Sequence, residues 1–74
     1  MQMTETRSKD QPTLEELQKF VGGPIEIVYL PEAQMIVNEE GLLRRLEQNN
    51  MASRIAGKMI VGNVMILSGS AMLD

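Results

Sequence analysis

The chain has 74 residues, a formal net charge of −3, and neither Cys nor His. That length holds one small domain. The missing Cys and His exclude disulfides and the commonest metal-ligand sets, and the mild acidity argues against charge-driven, nonspecific DNA binding. A domain this small buries only about 60% of its unfolded surface, so its core is thin. With no disulfide and no Cys/His site, oligomerisation is the expected support. Hydrophobic residues make up 43% of the chain, yet the aromatic side chains are one Phe and one Tyr, and seven Met supply the bulk. Met suits pliable cores and contact surfaces. No apolar run reaches the roughly 18 residues of a membrane span, and the first residues lack a signal-peptide apolar region.

Residues 1–12, MQMTETRSKDQP, are polar and without apolar periodicity, and read as a disordered arm. A single domain is expected over residues 13–68. Thr13-Leu14-Glu15-Glu16 is a capping box, in which Thr13 accepts the amide of Glu16 and Glu16 reaches back. Leu14, Leu17, Phe20 and Val21 follow at helical spacing, and Gly22-Gly23-Pro24 stops the helix. Ile25–Leu30, IEIVYL, reads as a strand. Pro31-Glu32-Ala33-Gln34 reads as a turn, and Met35-Ile36-Val37 as the returning strand of a hairpin. Both strands are apolar at nearly every position, so both faces need cover.

Beyond Gly41 the order Leu42, Leu43, Arg44, Arg45, Leu46 predicts a short helical turn or loop. Asn49-Asn50 offers a second cap, and Met51–Ala56 a short helix closed by Gly57. Met59–Leu67 is the longest apolar run and reads as the third strand. Gly62-Asn63 within it is read as a bulge in preference to a hairpin turn. Residues 69–74 form a small-residue tail. The expected fold is α+β: a small three-stranded, mainly antiparallel sheet with two short helices on one face, in the order helix-strand-strand-helix-strand. The opposite face is too apolar to be left wet, so a second copy of the chain is the expected cover.

Three patterns are candidate chemistry. Asn38-Glu39-Glu40-Gly41 places two carboxylates side by side. Adjacent residues point to opposite faces of a strand, and on a helix they diverge by about 100°. They therefore make a poor chelating pair, and no metal is expected. The better reading is a structural cap: Asn38 ends the strand, Glu39 and Glu40 favour a first helical turn, and Gly41 permits a bend or a close approach. The second pattern is basic. Arg44, Arg45, Arg54 and Lys58, with Asn49, Asn50 and the amides at the start of the Met51 helix, form a candidate anion site for phosphate, a nucleotide or an acidic surface. Ordinary solvated charge is the competing reading. The third is catalysis. Tyr29, Lys58, Ser53, Ser68 and Ser70 have no visible base or partner, and the glycines form no phosphate loop. No enzyme activity and no cofactor are expected.

The order VYLPEAQMIVNEEGLL, NNMASRIAG, IVGNVMIL resembles the small proteins of domain of unknown function 3846, over roughly residues 14–68. Val37–Gly41 and Val61–Val64 are its most specific parts. The resemblance implies a phage context and action in the cytoplasm of a bacterial host. It carries over no functional residues. The expectation is a non-enzymatic, homo-oligomeric binding protein that sequesters a nucleotide signal or inhibits a host protein. The alternative is a nucleic-acid-associated regulator or a structural phage component.

Overall fold

The computed structural model describes residues 3–6 and 11–73. Its elements follow the order β1 (Met3–Thr6), α1 (Leu14–Val21), β2 (Ile25–Leu30), β3 (Ala33–Asn38), α2 (Asn50–Ala56), β4 (Val64–Ser68), and a short 3-10 turn over Gly69–Ala71. The fold is α+β, and β2, β3 and β4 form the antiparallel sheet in the anticipated order with the two helices. A fourth strand extends it. β1 runs parallel to β4 with Met3 opposite Val64, giving the order β1-β4-β3-β2. The disordered arm is therefore corrected at Met3–Thr6; its stretch 7–10 lies outside the described residues. This short stretch, three of its four residues polar, acquires strand form only through the long-range pairing with β4, which leaves no local signal.

Local chemistry accounts for α1. The Thr13 hydroxyl accepts from the Glu16 amide at 3.1 Å, and the Thr13 amide donates to the Glu16 carboxylate at 2.9 Å. Both halves of the capping box are formed, and Gly22 closes the helix. The β2–β3 turn is tighter than the expected four residues: Leu30 pairs with Ala33, so Pro31 and Glu32 alone make the loop, with Glu32 at φ 60°. β4 is shorter than expected. Gly62 takes φ 81°, a left-handed bend that ends the apolar run as a strand. Ahead of it, Val61 forms a single antiparallel bridge to Gln48. The Gly62-Asn63 step is thus neither a bulge inside one strand nor a hairpin turn; it is a bend leading into β4.

Strand alternation divides the core in two. Met35, Val37, Val64 and Ile66 point to one side and pack with Ala52 of α2 and Ile60. Ile36 and Leu67 point to the other and pack with Leu17 and Val21 of α1 and with Ala71. The expectation of both helices on one face is therefore corrected: α1 and α2 lie on opposite faces. The same apolar alternation that seemed to require a second copy is covered by the chain itself.

The expected tail is also part of this packing. Ala71 is fully buried, and Met72 and Leu73 pack on the α1 side. The buried Gln34 amide grips the Leu73 backbone in both directions: its Nε2 donates to the Leu73 carbonyl at 2.8 Å, and its Oε1 accepts the Leu73 amide at 2.6 Å. Gln11 Nε2 donates to the Met72 carbonyl at 2.8 Å, so both flanks of residues 13–68 join one unit.

Candidate functional site

Two buried asparagines join the helices to the sheet. Asn38 ends β3, and its Oδ1 accepts the Glu40 amide at 2.7 Å while its Nδ2 donates to the Val21 carbonyl at 3.0 Å. One side chain thus caps the turn that follows and satisfies a carbonyl at the end of α1. The Arg44 Nη1 donates to the neighbouring Gly22 carbonyl, a cation at a helix C-terminus. Residues 39–45 coil through bonds such as Arg44 amide to Glu40 carbonyl, 2.9 Å, and Leu46 amide to Gly41 carbonyl, 3.0 Å, without becoming a helix. Gly41 is buried, and a Cβ there would stand 2.6 Å from Val61 Cγ2 and 3.3 Å from the Asn38 carbonyl oxygen. It is glycine because the Val61 segment passes too close for a side chain. Asn38, Glu39, Glu40 and Gly41 thus surround a structural joint; the two carboxylates are exposed. No group of three His, Cys, Asp or Glu side chains among the described residues is arranged to hold a metal.

Asn49 does the parallel work for α2. Its Oδ1 accepts the Ala52 amide at 3.1 Å, its Nδ2 donates to the Gly62 carbonyl at 2.9 Å, and its own amide donates to the Ile60 carbonyl at 2.8 Å. Ser53 Oγ accepts the Ile60 amide at 2.8 Å and stands 3.1 Å from the Ile60 carbonyl. This fixes where the 57–62 segment runs, close against the turn that Asn38 organises.

Between those two segments and the α2-facing side of β2 and β3 lies a groove of about 520 Å³. Val28, Val37 and Ile60 contribute apolar lining. Leu42, Leu43 and Met59 also line it, yet they are 69%, 85% and 62% exposed. Leucines that exposed, beside an apolar groove, mark a contact surface more than a core. Charges of both signs stand at the groove: Glu26 and Glu39 against Lys58. On the other flank of the same face a shallower hollow includes Leu30, Pro31 and Ile55.

Of the expected anion-site residues, only Lys58 lines the groove. Arg44 is turned to the end of α1, and the Asn49 side chain is buried between Ala52 and Gly62. Arg45 is exposed at φ 54°, and Asn50 and Arg54 are exposed on α2. Sequence reasoning missed Leu42, Leu43 and Met59. A signal existed: two adjacent leucines followed by two adjacent arginines cannot all obey one buried face in a single turn.

The match of a family profile over residues 2–72 decides the kinship. The chain belongs to the family described as Domain of unknown function (DUF3846). In this DUF3846 chain the match takes in both the β1 strand and the docked C-terminal turn, which agrees with their place in one packed unit. No curated protein and no solved structure matches it. No helix among the described residues is long and apolar enough to cross a membrane.

Proposed function

We propose that this DUF3846 member is a non-enzymatic accessory protein that works by binding a partner protein in the groove between the Asn38 turn and the Lys58–Val61 segment. The observation that carries the reading is the exposure of Leu42, Leu43 and Met59 around an apolar floor. The groove suits a partner segment with an apolar anchor flanked by a carboxylate for Lys58 and a cation for Glu26 and Glu39. The phage context implied by the resemblance makes a host protein the expected partner. Anion capture is the weaker reading here, because Asn49 and Arg44 already serve the fold.

Capture from bacterial lysate with paired variants tests this. A partner retained by the wild type and by Arg44→Ala with Arg45→Ala, and lost with Leu43→Asp, supports it. Leu43 is 85% exposed, so its replacement leaves the fold intact. A partner that persists through Leu43→Asp overturns the groove reading. A rise in melting temperature with a nucleotide, abolished in the arginine variants, transfers the function to anion capture. Retention on DNA with a steep salt slope favours the nucleic-acid reading.

A further inference from the structure

β2 is a sheet edge, because the strand order ends β3-β2. Natural edges are commonly blunted by Lys, Pro or a bulge. The six residues Ile-Glu-Ile-Val-Tyr-Leu contain none of these, only Glu26, and are otherwise β-branched, aromatic or leucine. The tight turn fixes which backbone groups face outward. Leu30 and Ala33 flank a two-residue loop and so form a mutually hydrogen-bonded pair. Alternation from that pair turns the N–H and C=O groups of Ile25, Ile27 and Tyr29 away from β3. Among the described residues, no loop or cap bonds to these groups.

We infer that two copies of the chain pair through β2, antiparallel and two-fold symmetric, with Ile27 opposite the partner's Ile27. A two-fold axis normal to the sheet keeps each face on its own side, so only residues of like parity meet. In this register Ile27 meets its own counterpart, Ile25 meets the partner's Tyr29 and Tyr29 meets the partner's Ile25. All are residues whose backbone groups face outward, and each pair exchanges two bonds. Centring the pairing on Val28 sets Ile25 against the partner's Pro31, which has no N–H. Centring it on Glu26 opposes two like charges. The chosen register also covers Tyr29, 75% exposed in the single copy, with an apolar cross-strand neighbour.

On the other face Glu26 comes opposite the partner's Val28. Glu26 and Val28 both line the groove, so the two grooves run together across the seam. The pairing stands on the edge alone and does not need the groove reading; where both hold, the partner-binding surface is a two-fold double groove. A single seam of this length is a small interface, so association is expected to be reversible and concentration-dependent.

Sedimentation of the full chain through the micromolar range tests the pairing. The mass should rise from 8.3 kDa toward twice that value. Tyr29→Pro removes an outward-facing donor and no bond within the hairpin, so it should keep the circular dichroism spectrum and weaken association by about tenfold or more. The chain has no Cys, so Ile27→Cys introduces a single thiol. Mutually bonded residues stand about 5.5 Å apart, within disulfide reach. Ile27→Cys should therefore oxidise to a covalent dimer much faster than Glu15→Cys on exposed α1. If Tyr29→Pro unfolds the chain, the thiol comparison decides. A constant 8.3 kDa species, a folded Tyr29→Pro chain that associates like the wild type, or equal oxidation rates at the two positions overturns the pairing.

Discussion

On one face of the sheet, α1 and the C-terminal turn bury Leu17, Ile36, Leu67 and Ala71 completely; on the other, α2 lays fully buried Ala52 over Met35 and Val64 and leaves a hollow on each flank. The helices are of similar length but opposite design. α1 turns Leu17 and Val21 inward and its charges outward. α2 turns small alanines inward, while Met51 and Ile55 are 62% and 46% exposed. A helix with its small residues against the sheet sits close to it and cannot fill the space beside it. One face is therefore a core, and the other is both a core and a contact surface.

Core truncation tests that contrast most strongly. Leu17→Ala removes a fully buried side chain from the α1 face and should cost about 3 kcal/mol in urea unfolding, much of the stability of so small a domain. Met51→Ala on α2 removes a side chain of comparable size and should change stability by no more than about 0.5 kcal/mol. A large loss at Met51 would show that α2 has no exposed contact face.

Next comes the joint that shapes the groove. Gly41→Ala drives a methyl into Val61 and should cost about 1–3 kcal/mol. Val61→Ala in the same chain should recover part of it, since the tightest contact is with the Val61 side chain. Full additivity of the two changes would mean the close approach does not set the turn's position.

A smaller loss than at the joint belongs to the α1 cap. Thr13→Ala should lower stability by about 1 kcal/mol. The Thr13 amide, with its hydroxyl, holds the Glu16 carboxyl below its ordinary value of 4.5. A depressed carboxyl contributes stability above its unfolded pKa and loses it as pH falls through the folded value. The wild-type melting temperature should therefore fall on acidification below about pH 4.5, and Thr13→Ala should lessen that part of the fall. Parallel pH profiles for the two chains would contradict the cap's share.

Legibility in the sequence tracks the range of each interaction. The α1 cap joins residues three apart, and so does the Asn49 bond to Ala52; both helices were legible, and so was the hairpin. The Asn38–Glu40 bond spans two residues, and the cap reading of VNEEG rested on it. The Asn38 bond to Val21 spans 17 residues and the Gln34 bond to Leu73 spans 39. Nothing near Gln34 announces that its amide will hold the chain's far end, so the tail read as loose. Arg44 and Asn49 read as ligand donors for the same reason: their acceptors, Gly22 and Gly62, are distant in the chain.

The sequence by itself determined both helices, the β2–β3 hairpin and the apolar run that carries β4, because capping, helical periodicity and turn chemistry act within a few residues. It also determined that both faces of β3 would be buried, because alternation along an apolar strand leaves no other outcome. Only the tertiary structure decided that α2 covers the second face, that Met3–Thr6 completes the sheet beside β4, and that Leu42, Leu43 and Met59 stand around a groove. Those features arise where segments far apart in the chain compete for the same apolar surface. Around the groove, the close approach at Gly41 and the small side chain of Ala52 leave that space, which no local pattern encodes.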